Sequence, residues 1–252
     1  MKKERLDRVL FDRGMVKSRE AARAIILSGK VYVGGEKIDK AGAAIDPDAP
    51  ITVSSFPAYV SRGGDKLAGA MEAFGIGVAG LIAIDVGAST GGFTDYLLQH
   101  GAMRVYAIDV GYGQLADNLR QDARVVVLDR QNIRYLREGA IPEKADLAVI
   151  DVSFISLEKV IPSVFPLLKG EGQIVALVKP QFEVGKGEVG SGGIVRCPEQ
   201  HQAVLDKIIQ QVPAWGKGAL FVLGAVPSAL TGKKGNQEFF VHIKKSVGAI
   251  PQ

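Results

Sequence analysis

From Leu81 to the end the chain repeats one pattern, short apolar runs rich in Val and Ile with helical spacing between most of them. The runs cover 81–86, 105–110, 125–128, 147–152, 174–178 and 220–223, and a last strand covers 239–243. Strands that are apolar on both faces and joined by crossover helices pack as a parallel sheet covered on two sides. The pattern therefore predicts a doubly wound α/β fold with a mostly parallel, seven-stranded sheet.

Residues 1–55 read differently. Leu6, Val9 and Leu10 recur at helical spacing before Gly14, and Ser18 stands as an N-cap before Ala21, Ala22, Ile25 and Ile26, with Gly29 as the stop. Lys30 to Val33 alternate, Gly34-Gly35 turns the chain, Lys37-Ile38 returns, and Ile51-Thr52-Val53 closes the unit. This predicts a small α+β module at 1–55, a linker at 56–60 opening near Pro57, and a large domain at 61–252. The formal charge is +4, and residues 1–60 hold 11 basic against 8 acidic side chains. A basic end on a nearly neutral body suits a docking surface for a polyanion, and the competing reading is a solvated helix surface. Arg5, Arg13, Lys17, Arg19 and Arg23 surround the two helices and are expected to face outward, toward a polyanion.

Cys197 is the single cysteine, so no intrachain disulfide forms, as suits a reducing cytoplasm. With three scattered histidines (His100, His201, His242) no metal-ligand cluster is expected. The first ten residues lack the apolar core of a signal peptide. The longest uncharged stretch near the end, 218–232, contains Pro227 and falls short of the roughly 20 apolar residues of a membrane span. A soluble cytoplasmic protein without stable membrane association is expected.

Four strands end in an acid: Asp85, Asp109, Asp129 and Asp151. The carboxyl ends of a doubly wound sheet form its ligand crevice, and stepped acids there suit a ligand with several hydroxyl and amino donors. The first strand runs into Asp85-Val86-Gly87-Ala88-Ser89-Thr90-Gly91-Gly92-Phe93-Thr94, whose glycines would let a ligand approach the backbone. No Lys follows the glycines as in a P-loop, and Ala88-Ser89 breaks a dinucleotide fingerprint where pyrophosphate would lie. S-adenosylmethionine lacks pyrophosphate and presents an amino acid, a ribose diol and adenine. Asp109 would then accept from the ribose and Asp129 would lie near the adenine, with Val110 beside them. The turn also spells G-x-S-x-G, with His201 and His242 downstream as in a hydrolase. That reading places the elbow on the domain's first strand and leaves three acids without a role.

Lys66, Asp151, Lys179 and Glu238 stand outside the turn. A lysine at a buried strand end needs a partner, and Asp151 is the expected one for Lys179. Lys66 is read as opening a helix, and Glu238 as opening the last strand after Gly232-Lys233-Lys234-Gly235.

Here the sequence resembles known families. Arg5-Leu6-Asp7, Arg13-Gly14, Ser18-Arg19 and Gly29-Lys30-Val31 are similar to the RNA-binding module named after ribosomal small-subunit protein four. Tyr59 through Leu67, Asp85 through Asp95, Asp151-Val152-Ser153-Phe154 and Val178 through Glu183 resemble the TlyA (hemolysin A-like) family, whose catalytic domain is of the FtsJ/RrmJ type. The resemblance implies a Rossmann-like S-adenosylmethionine-dependent methyltransferase fold and 2′-O-methylation of ribosomal RNA, on cytidine in characterised relatives. It implies a Lys-Asp-Lys-Glu catalytic tetrad at Lys66, Asp151, Lys179 and Glu238, and cofactor contacts at Asp85, Gly87, Ala88, Ser89, Gly91, Gly92, Phe93, Asp109, Val110 and Asp129. Some relatives carry Arg and Trp where this chain has Pro57, Ala58 and Tyr59. Two other classes remain: an RNA- or ribosome-binding protein whose methyltransferase fold is inactive, and a membrane-lytic protein, for which no segment has the strong apolar face required.

Overall fold

The structure, a computed structural model, describes residues 3–54, 57–137, 139–185, 187–232 and 235–246. The chain divides into two compact units, Met1–Ala58 and Tyr59–Gln252. Ser55, the last residue of the expected module, and Phe56, the first of the expected linker, lie outside the described residues, as do Lys233 and Lys234. Tyr59 and Val60 belong to the large unit: Val60 N–H donates to Asp95 Oδ2 at 2.8 Å, and the Tyr59 ring tilts against Tyr96.

The first unit runs β1 (Glu4–Arg5), α1 (Leu6–Asp12), α2 (Arg19–Leu27), β2 (Val31–Val33), β3 (Glu36–Ile38), β4 (Ala44–Ile45) and β5 (Ile51–Val53). Ser18 caps α2, its hydroxyl accepting from Ala21 N–H at 3.1 Å. β2 pairs antiparallel with β3 and with β5, and Leu6, Leu10, Ile25, Ile26 and Val31 fill the core. β1 and β4 form a two-residue antiparallel pair that the sequence reading lacks, because two residues carry no period.

The second unit contains α3 (Arg62–Phe74), β6 (Ile82–Val86), α4 (Gly92–Gln99), β7 (Arg104–Ile108), α5 (Asp117–Arg120), β8 (Val125–Leu128) and β9 (Ala145–Ile150). α6 (Ile161–Val164), β10 (Leu168–Val178), α7 (Pro180–Glu183), α8 (Pro198–Trp215), β11 (Leu220–Pro227) and β12 (Phe239–Lys245) complete it. The strands form one seven-stranded sheet in the order β11-β12-β10-β9-β6-β7-β8. β12 runs antiparallel to both neighbours, and the pairings among β10, β9, β6, β7 and β8 are parallel. Successive β9 residues explain the continuous apolar runs: Ala148 and Ile150 enter one core, Leu147 and Val149 the other.

Two placements differ from the sequence reading. Asp85 lies within β6 and not at its end, on the face shared with Ala83, so it is fully buried. α3 begins at Arg62 because Ser61 caps it, accepting from Gly63 N–H, which puts Lys66 in the helix's second turn.

Candidate active site

The topology delivers charged residues to one edge of the sheet. Asp151 and Lys179 follow β9 and β10, and Glu238 precedes antiparallel β12. Val178 pairs with Phe239, so Lys179 and Glu238 lie just beyond the same end of neighbouring strands. α3 supplies Lys66, whose ammonium sits 2.5 Å from Glu238 Oε2. Lys179 Nζ lies 2.6 Å from Asp151 Oδ1, a contact outside hydrogen-bond geometry, and donates to Ser153 Oγ at 2.9 Å. Both lysine side chains are only 11% exposed. Shielded cations persist when each has a carboxylate partner, and two such pairs hold four long side chains in fixed positions.

The glycine turn is attached to this edge. Asp151 N–H donates to the Val86 carbonyl at 2.9 Å, and a Cβ on Gly87 would collide with the Asp151 carbonyl. Glycine at 87 is therefore demanded by this contact and by its φ of +86°. A Cβ at Gly91 would strike Leu115 and Leu119, and one at Gly92 would strike Ser61 and Gly64. The space on the Cβ side of these glycines is filled by protein, so packing also demands glycine at these positions. Ala88 and Phe93 were expected at the cofactor. Their side chains are buried in the core, and the Phe93 ring packs on Phe240. Only their backbone remains for a groove.

The remaining acids shape the loops beside the turn. Asp85 Oδ2 accepts from Thr94 Oγ1 at 2.7 Å, while its Oδ1 is buried without a hydrogen-bond partner. Burial pushes its carboxyl up to about 7, against the Thr94 hydrogen bond and with help from nearby Asp151. Asp109 accepts from Ser89 N–H at 2.8 Å and Gly111 N–H at 2.7 Å. Asp129 accepts from Gly113 N–H at 3.2 Å and pairs with Arg120 at 2.9 Å. Val110, between these loops, is 71% exposed. No hydrolase triad forms: Ser89 Oγ bonds Gln114, His201 bonds the Val195 carbonyl and His242 bonds Gln173.

Comparison with known proteins decides the family. Residues 59–245 match the FtsJ-like methyltransferase model and residues 4–51 match the S4 domain. The chain belongs to the FtsJ-like methyltransferase family. It is 45% identical to the 16S/23S rRNA (cytidine-2′-O)-methyltransferase TlyA of Mycobacterium tuberculosis, over 96% of this chain and 90% of that protein. It is 39% identical to Hemolysin A of Brachyspira hyodysenteriae, over 94% and 98%. A solved structure carrying a hemolysin label, from Streptococcus thermophilus, superposes with a TM-score of 0.74 at 41% identity, over 98% and 90%. Among the described residues, no helix is long and apolar enough to cross a membrane and no metal-binding group is found.

Beside the two lysine–carboxylate pairs stand residues to which the sequence alone assigns no role. Ser153 steadies Lys179. Phe154, at φ +64° and 89% exposed, tilts against Phe182 with ring centroids 5.0 Å apart. Glu183 on α7 accepts from Ser156 Oγ at 2.6 Å and Leu157 N–H at 2.9 Å, tying the segment after Asp151 to the segment after Lys179. The signal was present in the two phrases that carry these residues, but only the fold brings the phrases together. A hollow of about 430 Å3 between Met71, Glu72, Tyr96 and His100 includes none of these residues. In the S4 domain all five cations are exposed, and four also bond to the protein: Arg5, Arg19 and Arg23 turn to Asp7, and Arg13 bonds the carbonyls of Ala49 and Pro47.

Proposed function

We propose that the chain is an S-adenosylmethionine-dependent ribosomal RNA methyltransferase acting on a ribose 2′-hydroxyl, with cytidine as the target. Residues 1–55 are the RNA-binding part and 59–252 the methyl-transferring part, with the linker shortened from 56–60 to 56–58 because Tyr59 and Val60 belong to the large unit. The observation that carries this reading is the pair of lysine–carboxylate contacts joined to the glycine turn by the Asp151–Val86 hydrogen bond. The names of the relatives agree with it.

The residues beside the turn fit the cofactor. A ribose diol and amino groups call for acceptors, which Asp109 and Asp129 supply, and the exposed Val110 side chain offers an apolar surface for a base. The buried, unpartnered Oδ1 of Asp85 leaves one further polar group in this region. The main-chain amides of 87–93, with the side chain of Ser89, complete the set. When bound, the cofactor supplies an electrophilic methyl group on a sulfonium.

The chain's own residues then handle the ribose. A 2′-hydroxyl is a weak nucleophile at neutral pH, so its proton must leave as the new C–O bond forms. Lys179, fixed by Asp151 and Ser153, holds the ribose oxygen and stabilises the charge that develops on it. Its pairing with Asp151 supports this charged role over that of a neutral base, so the hydroxyl proton passes to solvent water as the oxygen takes the methyl group. Lys66, fixed by Glu238, holds the sugar in line. The flat faces of Phe154 and Phe182 suit a base turned out of its stack. Incubating unmethylated ribosomal subunits with the protein and methyl-labelled cofactor, then mapping the product, tests this. Label on a ribose is expected. Label on a base, or none in ribosomal RNA, overturns the reading.

A further inference from the structure

Asp7 has no exposed surface, yet it lies in the most basic part of the chain. Three guanidiniums from two elements converge on it. Arg5 of β1 donates twice, Nε to Oδ1 at 3.0 Å and Nη2 to Oδ2 at 2.9 Å. From α2, Arg23 Nε donates to Oδ2 at 3.2 Å, and Arg19 Nη2 lies 3.5 Å from the same oxygen. The arginine side chains are 53%, 46% and 51% exposed. Each guanidinium carries five N–H donors, so the contacts to Asp7 occupy a minority and the rest remain for solvent or a ligand. The cluster carries two more positive than negative charges. A structural ion pair needs one cation for one acid. Three cations on one acid instead make a pre-ordered fork whose spare donors suit phosphate oxygens.

We propose that Asp7 is a positioning residue for RNA: it never touches the nucleic acid, but it holds Arg5, Arg19 and Arg23 as a single phosphate-binding fork. The proposal rests on the reading of the S4 domain as the RNA-binding part, and it deepens that reading. It has a sign that simple electrostatics does not give. Removing a negative charge from a basic surface should strengthen polyanion binding. Releasing three long side chains should weaken it, because their ordering must then accompany binding.

The test is filter binding of the full chain to deproteinised ribosomal RNA at several salt concentrations, with circular dichroism of each variant. Asp7→Asn is expected to bind roughly tenfold more weakly at every salt concentration. Adding it to the triple variant Arg5→Gln, Arg19→Gln, Arg23→Gln should change affinity by less than about twofold, because the groups it acts through are gone. Arg5→Lys keeps the charge and the fold but loses the two-pronged grip, and is expected to bind about threefold more weakly. This variant decides the matter if Asp7→Asn loses its folded signal. Unchanged or tighter binding by Asp7→Asn overturns the proposal, as do wild-type affinity of Arg5→Lys or an equal loss in the triple background. Absence of binding by the wild-type chain would instead remove the RNA-binding reading itself, before any variant is compared.

Discussion

In the N-terminal unit three half-exposed arginines share one buried aspartate, whereas at the edge of the large sheet each of two shielded lysines has its own carboxylate. The first arrangement leaves positive charge and N–H donors facing solvent, where a polyanion can reach them. The second is neutral overall and keeps its cations mostly out of water, where an ammonium fixed to a fraction of an ångström is useful for chemistry. Under the proposed function, the ratio of cations to acids and their exposure suit the first cluster to affinity and the second to catalysis. Variants that affect only one of these properties test that division.

The largest effect is expected at Lys179. Lys179→Ala should lower the methyl-transfer rate by about 10²- to 10³-fold. Affinity for ribosomal RNA and for the cofactor should stay within a few-fold, measured by filter binding and calorimetry. Substantial transfer by this variant would remove Lys179 from the reaction. The mirror experiment is Arg19→Glu with Arg23→Glu. RNA affinity should fall by more than about tenfold, and the slope of log K against log salt should flatten by roughly two. Cofactor affinity should not change. A double variant with wild-type affinity and slope would make the basic cluster a solvated surface.

Legibility followed the distance over which each feature is determined. Ser18 as a cap, the turn at Gly34-Gly35 and the apolar strands depend on neighbours in sequence, and all were readable. Lys66, Asp151, Lys179 and Glu238 stood out singly in the sequence and were grouped by the family resemblance. Strand ends of a doubly wound sheet bring three of them to one edge, and Lys66 reaches it from α3. The steric demand for glycine at 87 was not readable. The carbonyl that forbids a side chain there belongs to Asp151, which follows β9, three strands later in the chain. Ala88 and Phe93 follow the same rule, since residues in a ligand turn can face the core. The arginines were visible as charge but not as a cluster, because nothing in Arg5-Leu6-Asp7 says that Arg19 and Arg23 turn to the same oxygen.

A smaller effect should separate alignment from binding within the large unit. Glu183 is buried, which pushes its carboxyl above the ordinary range despite the hydrogen bonds from Ser156 and Leu157. Glu183→Gln keeps the shape but retains one acceptor where the carboxylate has two. The loops bearing Asp151 and Lys179 should then lose registration, lowering kcat by about tenfold with KM for ribosomal subunits unchanged. A rise in KM with unchanged kcat would instead place Glu183 in substrate binding. Equal values for variant and wild type would leave it a packing residue.

The subtlest test contrasts two aspartates that share complete burial. Arg5, hydrogen-bonded to Asp7, with Arg23 and Arg19 in support, holds that carboxyl well below the ordinary range. Asp85 lacks a cation, and burial raises it to about 7. The signs of the stability effects are opposite. Asp7 is ionised more readily in the folded chain, so its contribution is present above the unfolded value near 4 and is lost as pH falls below it. Asp85 keeps its proton in the folded chain while the unfolded chain releases it from about pH 4 upward. Its contribution is therefore complete at low pH and declines as pH rises from about 4 to about 7, after which it is constant. Asp85→Asn can still accept from Thr94 and does not titrate. Its melting temperature relative to wild type should thus rise between pH 5 and pH 7, by about a few degrees, and level off above pH 7. The same difference for Asp7→Asn should be flat over that range and move only below pH 5. A flat curve for Asp85→Asn would mean that this buried acid ionises as easily as an exposed one. Its unpartnered oxygen would then have to face a group that compensates the charge, and the contrast between the two aspartates would be lost.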